Sequence, residues 1–281
     1  YYYISKKEVF TMSNLTIRPL NTGFVPTNPF QYHYHHSCAP YLKGVPNEKV
    51  PLPVFVYLVE GGDKLLLVDT GMAWTERANA YHHPGSWQDP DQDIESLLAA
   101  HGYKFSDIDI VVYTHLHWDH MFYAEKFTNA QFYAHKREVE FARNPIPLYY
   151  KSYEAPILGV KSPITDIVFN EVEGETEIMP GVRVFESFGH SPGHISVEVD
   201  CADGDSYICA GDSIFVLGNL NEIPELHYDI TPPGRFYNIV ESWKSIEYQK
   251  ARAKSPEHLL LCHDKTMLDR VKKTPVIGVA K

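Results

Sequence analysis

Thr114-His115-Leu116-His117-Trp118-Asp119-His120 packs three histidines and an aspartate into six consecutive positions, directly behind the apolar run Ile110-Val111-Val112-Tyr113. That run is rich in β-branched residues and has no helical period, so it predicts a buried strand. The polar cluster then falls where a strand ends and a loop begins. A loop can fan four side chains in different directions, whereas a strand alternates faces and a helix repeats every three or four residues. Neutral imidazole nitrogen and carboxylate oxygen are the donors that Zn²⁺ and related divalent ions take. The stretch reads as a metal-binding loop, and the protein as a metal-dependent hydrolase.

Moving outward, Val54 to Val59 reads as a strand, Glu60-Gly61-Gly62-Asp63 as a tight turn and Lys64 to Val68 as the returning strand, ending in Asp69-Thr70-Gly71. Asp91 to His101 has acidic residues in its first turn, apolar Ile94, Leu97 and Leu98 on one face and Gly102 beyond its end, which predicts a helix. A short strand is expected at Phe132-Tyr133-Ala134 and a helix from Lys136 to Arg143, stopped by Asn144-Pro145. In the second half, strands are expected at 182–188, 195–199, 206–210 and 259–261, with a helix over 236–253. Two β-rich halves with helices and no linker argue for one domain of two packed sheets covered by helices, over residues 13–281. Residues 1–12 read as an N-terminal extension ahead of the domain.

Three segments rich in aromatics, prolines and histidines, at about 24–50, 72–90 and 145–165, read as cap-like loops. His33-Tyr34-His35-His36 invites either metal ligation or pocket lining. His82 and His83 read as surface or loop residues. Residues 145–165 suit a lid or a surface insertion equally. The chain has 281 residues, 44% of them hydrophobic, which is enough for a sizeable core. Its formal net charge of −11 argues against capture of nucleic acid or an anionic membrane surface. The clean apolar runs are of strand length, not membrane-spanning length. The first residues lack the apolar core and cleavage site of a signal peptide, and four scattered cysteines form no disulfide framework. A cytoplasmic location is therefore expected.

Four more apolar strands end in ligand-type residues: Asp69, His190, Asp212 and His263. Taken with Asp69-Thr70-Gly71, His115-Leu116-His117-Trp118-Asp119-His120, Gly189-His190-Ser191-Pro192-Gly193-His194, Gly211-Asp212 and the late His263, the chain resembles the metallo-β-lactamase superfamily. The resemblance runs over about residues 54–264, with the motifs in the family's order. It implies an α+β fold, the αββα four-layer sandwich, with metals at one edge of the packed sheets. It implies that His115, His117 and His190 hold one divalent ion, that Asp119, His120 and His263 hold the other, and that Asp212 bridges both. Asp69 and His194 would support the ligands without touching metal. Zn²⁺ is the expected ion, with manganese, iron and cobalt as alternatives.

Aspartate at 212 sets the chain apart from the true β-lactamases, and histidine at 117 from the di-iron flavoprotein branch. Its length, Asp-Thr-Gly turn, G-H-S-P-G-H stretch and Gly-Asp-Ser resemble the N-acyl homoserine lactonases. There are departures. Phe215 stands where those enzymes commonly carry a tyrosine, and Met121-Phe122 where glycines are usual. The implied reaction is attack of a metal-bridging hydroxide on a lactone carbonyl, with Asp119 the catalytic proton carrier. Trp118, Met121, Phe122 and Phe215 are the expected substrate-pocket residues. The expected partner is a small lactone or ester, with a homodimer as the candidate assembly. The rival readings are a thioester or ester hydrolase of the glyoxalase II type and a metal-binding protein without catalysis.

Overall fold

The computed structural model describes residues 13–280, so the expected extension at 1–12 lies outside the described residues. The first sheet contains β1 (Thr16–Thr27), β2 (Val50–Glu60), β3 (Leu66–Val68), β4 (Ile110–Val112), β5 (Gln131–His135) and β6 (Phe169–Val172), in that spatial order. Its first three strands are antiparallel, and β3 to β6 run parallel. The second sheet has the order β11-β10-β9-β8-β7, built from β7 (Thr176–Met179), β8 (Val182–Glu186), β9 (Ile195–Asp200), β10 (Ser206–Gly211) and β11 (Leu259–Leu261). Among the described residues there are six α-helices: α1 (Pro29–Tyr32), α2 (Thr75–Arg77), α3 (Ile94–Ala100), α4 (Lys136–Arg143), α5 (Ile239–Arg252) and α6 (Thr266–Lys273).

Alternation along the strands explains the layering. In β2, Phe55, Tyr57 and Val59 join Val184, Val197 and Val199 of the other sheet in one buried cluster. The intervening Val56 and Leu58 face the opposite way, against Ile94 and Leu98 of α3 and Val139 of α4. On the far side of the second sheet, Phe185, Ile208 and Leu261 pack with Ile246 of α5. Both faces of each sheet are thus covered, which is why β3 and β4, inside the first sheet, are apolar at every position. This is the expected αββα sandwich.

Helix starts follow local chemistry. The Asp93 carboxylate accepts from Ser96 N–H at 2.9 Å, and Asn238 accepts from the amides of Val240 and Glu241. The sequence pattern did not indicate α6, β6 or β7, which are short and largely exposed. It also blurred β1, whose alternation is broken by a register shift between Asn21 and Phe24. The described cysteines are all buried and unpaired. No described helix is long and apolar enough to cross a membrane.

One buried side chain ties the loops at the sheet edge together. Glu138, in the first turn of α4, accepts Leu116 N–H at 3.0 Å and Tyr153 O–H at 2.8 Å on Oε1. Its Oε2 accepts Ser191 O–H at 2.6 Å and Gly193 N–H at 3.0 Å. Gly193 sits so close that a Cβ there would fall 2.2 Å from Glu138 N, so only glycine fits. Burial pushes the carboxyl above its ordinary value, while its four donors pull the other way. Removing the acceptor would strand four buried donors. Glu138→Ala is therefore expected to lower unfolding free energy by at least about 3 kcal/mol, read by urea denaturation. An unchanged midpoint would show that these loops are held by something else.

Candidate metal centre

The expected metal-binding loop leaves β4 at the sheet edge, beside the residue that follows β3. Asp69 adopts a left-handed backbone, φ 61°, an unusual conformation for a side chain other than glycine. That turn aims its carboxylate back under the loop. Asp69 Oδ1 accepts Thr114 N–H and Oδ2 accepts Thr114 O–H, each at 2.8 Å. Oδ2 also lies 2.9 Å from His120 Nδ1. Because a carboxylate only accepts, His120 Nδ1 carries the proton and Nε2 presents its lone pair to the site.

The same reasoning sets two more rings. Thr114 O–H is committed to Asp69, so at 3.1 Å it accepts from His115 Nδ1–H and leaves His115 Nε2 free. His263 Nδ1 lies 2.8 Å from the Pro53 carbonyl, which can only accept, so His263 Nε2 is free as well. His117 Nδ1 and His190 Nε2 face each other at 3.0 Å, a contact that either a shared proton or a shared cation would satisfy. With Zn–N near 2.1 Å, tetrahedral donors lie about 3.4 Å apart.

Asp212 stands between two groups. Its Oδ2 lies 3.4 Å from His190 Nε2 and 4.0 Å from His115 Nε2. Its Oδ1 lies 3.2 Å from both His120 Nε2 and His263 Nε2. The donor atoms of His115, His117 and His190 lie within 4.8 Å of one another, and so do those of His120, Asp212, Cys262 and His263. Asp119 stands slightly apart, with Oδ2 3.6 Å from His263 Nε2. His194 is turned away to structural work. Its Nε2 accepts Asp212 N–H at 3.0 Å, and its Nδ1 meets Ser187 Oγ at 2.8 Å.

These donors fit a pair of divalent cations. His115 Nε2, His120 Nε2 and Asp212 Oδ1 are buried and have no hydrogen-bond partner of good geometry. Such orphans are costly unless something else satisfies them. Burial holds His115 and His117 well below the ordinary histidine value, and burial also takes His190 down to about 4 against the pull of Asp212. For His120 and His263 burial opposes charge, but Asp212 and its neighbours outweigh it and hold both well above the ordinary value. An environment that favours a proton there also favours a cation. Cys262 also falls in the second donor group. Burial lifts its thiol to about 12, which is poor preparation for a thiolate ligand.

A small open cleft of about 40 Å³ leads to this cluster, lined by Tyr32, His33, Trp118, Asp119, Phe215 and Arg235 among others. Of the residues expected at a substrate pocket, Trp118 and Phe215 line this cleft. Met121 and Phe122 do not. The chain turns inward after His120, with Phe122 N–H on the Gly71 carbonyl, and buries both side chains in hydrophobic clusters away from the cleft. His82 also departs from its expected surface position. Its side chain is fully buried, stacked on Trp118 at 4.7 Å, with Nε2 2.7 Å from Glu154 and Nδ1 2.6 Å from the Lys151 carbonyl. His83 lines the cleft. The 145–165 segment lies against the metal loop, where Trp118 N–H donates to the Ser152 carbonyl at 2.8 Å.

The sequence pattern of the metallo-beta-lactamase superfamily matches residues 50–253. The chain belongs to that superfamily. Among curated proteins it is similar to N-acyl homoserine lactonase AiiA of Bacillus thuringiensis subsp. kurstaki, 27% identical over 234 residues, which is 76% of this chain and 90% of that one. It is also similar to N-acyl homoserine lactonase AttM of Rhizobium radiobacter, 25% identical over 245 residues, or 81% and 87% of the two chains. Among solved structures, an N-acyl homoserine lactone hydrolase with N-hexanoyl-L-homoserine at its catalytic metal center superposes with a TM-score of 0.72 at 22% identity, over 92% of this chain and 97% of that one. AidC, a dizinc quorum-quenching lactonase, superposes at 0.65 and 16% identity, over 91% and 90%.

Two outcomes follow from this geometry. Asp69→Asn would release His120 from its orientation and weaken metal retention by about 10–100-fold, measured by competition with a chromogenic chelator. Protons compete for His120 and His263, so apparent metal affinity should fall as pH is lowered from neutrality. Affinity that is flat with pH would remove these two histidines from the ligand set.

Proposed function

We propose that this protein is a dinuclear metal-dependent hydrolase that opens a lactone, an acyl homoserine lactone or a related small cyclic ester. The observation that carries the reading is Asp212, whose two oxygens face two separate histidine groups. In this reading His115, His117 and His190 hold one ion, Asp119, His120 and His263 hold the other, and Asp212 serves both. The resemblance to lactonases supports the choice of substrate, and the dizinc neighbour supports zinc as the ion.

When bound, a pair of divalent ions supplies Lewis acidity toward the ester carbonyl and brings the pKa of a coordinated water down to about 7. The chain's own residues do the rest. Asp69 and the Pro53 carbonyl fix the rings of His120 and His263. Asp119, at the cleft wall and more exposed than Asp212, is placed to carry a proton on Oδ2 to the leaving alkoxide. Trp118, Tyr32 and Phe215 form an aromatic wall that would hold an acyl chain or ring and exclude water. Arg235 puts one guanidinium on the same cleft, which keeps a thioester of an anionic thiol as the second reading.

The test is a pH-indicator assay on metal-loaded protein against acyl homoserine lactones of short and long chain, simple γ- and δ-lactones, and a glutathione thioester. Lactone opening that a chelator abolishes and added zinc restores is the expected result, with Asp119→Asn inactive but folded. Cleavage of the thioester alone would move the protein to the glyoxalase II type of reaction. Retained metal with no turnover on any arm would leave a binding protein.

A further inference from the structure

His33 is a buried imidazole that the metal reading does not use. It is 2% exposed, and neither ring nitrogen has a hydrogen-bond partner. It lines the same cleft as His190, Asp212 and His263 and lies within electrostatic reach of the last two. Its ring meets the edge of Phe215 at 5.0 Å, and Phe215 in turn touches the rings of His190 and His263, at 5.1 and 6.0 Å. Phe215 has no polar side-chain atom; the buried polar ring packed against it is His33.

Its position is rigidly built. The fully buried Asn219 donates from Nδ2 to the carbonyls of His33, at 2.8 Å, and Thr231, at 2.9 Å. Asn219 Oδ1 accepts the amides of Phe215 and Val216, both at 3.1 Å. His33 N–H is committed to the Pro29 carbonyl at 2.9 Å. One amide side chain thus locks the segment carrying His33 to the loop that follows Asp212. A polar ring held firmly, buried and unpartnered beside a reaction centre is poor design for stability and suitable design for a ligand.

We propose that His33 is a catalytic residue: its imidazole N–H donates a hydrogen bond to the ester oxygen that gains negative charge as the lactone opens. This rests on the lactone reading above. In the step concerned, a water oxygen that has passed a proton to Asp119 forms a C–O bond at the carbonyl carbon, the carbonyl π pair moves onto oxygen, and that oxygen accepts from His33. Collapse then breaks the ring C–O bond, and the released alkoxide takes the proton that Asp119 carries. His33 keeps its own proton throughout, so water is the one co-reactant. A fixed donor shielded from water stabilises charge that water would otherwise have to reorganise around.

The test compares wild type, His33→Phe and His33→Gln as metal-loaded enzymes on N-hexanoyl homoserine lactone. Metal content, melting temperature, kcat, KM and affinity for the ring-opened product would be read for each. His33→Phe should keep its metal, melt no lower than wild type and lose about 100-fold in kcat with little change in KM. His33→Gln, which keeps a neutral donor, should recover part of the loss. In wild type, the ¹⁵N-edited His33 ring signal should shift when N-hexanoyl-homoserine binds, a readout that stands even if His33→Phe does not fold. Undiminished kcat in His33→Phe, or a ring signal that product leaves unmoved, would overturn the proposal. Metal loss in proportion to rate would instead make His33 a ligand and overturn it too. Wild type that opens no lactone would sink the lactone reading and this proposal together, whereas active wild type with an equally active His33→Phe sinks this one alone.

Discussion

Everything at the sheet edge depends on a single acceptor that water never reaches. Glu138 gathers donors from the histidine loop, the G-H-S-P-G-H loop and the 145–165 segment onto two oxygens. These segments contain no β-strand or α-helix, only short 3₁₀ turns at Pro147–Tyr149 and Pro156–Leu158, so many of their backbone groups need partners from elsewhere. A carboxylate is suited to that role because it offers several lone pairs within a small volume and binds charge-assisted hydrogen bonds more strongly than an amide would. Within that frame His115, His120 and His263 each give Nδ1 to a structural bond and keep Nε2 for the site.

A division of labour follows. Residues that would touch metal present free lone pairs, while Asp69, Thr114, Pro53 and Glu138 supply the bonds that aim them. The left-handed turn at Asp69 belongs to this scheme. A relaxed extended residue there would point its carboxylate along the strand, not back beneath His120. Local strain of this kind persists where the surroundings over-determine it.

Much of this was legible in the chain. The histidine loop announces itself because its donors are packed within a few positions, and the sandwich because apolar runs of strand length recur with turns between them. Glu138 was invisible as a site residue. It lies in an amphipathic helix of ordinary charged composition, and its partners at Ser191 and Gly193 are more than fifty positions away. The Asn219 bond to the His33 carbonyl spans 186 positions, far beyond any local pattern. Met121 and Phe122 misled for the opposite reason. Their neighbours in sequence face the cleft, yet the turn onto Gly71 sends these two into the core. His82 looked superficial because a histidine in a polar loop usually is, and only the fold brings Glu154 and Trp118 to it.

The ligand set also divides by origin. His115, His117, Asp119 and His120 leave the end of β4 in the first sheet, whereas His190, Asp212 and His263 leave the ends of β8, β10 and β11 in the second. Each proposed ion would draw ligands from both. A pair of cations held this way works as a rivet through the seam between the layers. Sliding one sheet over the other would stretch several coordination bonds together. Occupancy by metal would therefore set the mechanical stiffness of the sandwich at the edge where chemistry takes place. Without the ions, the halves would be joined at that edge by packing and by hydrogen bonds such as Tyr57 O–H to the Leu261 carbonyl.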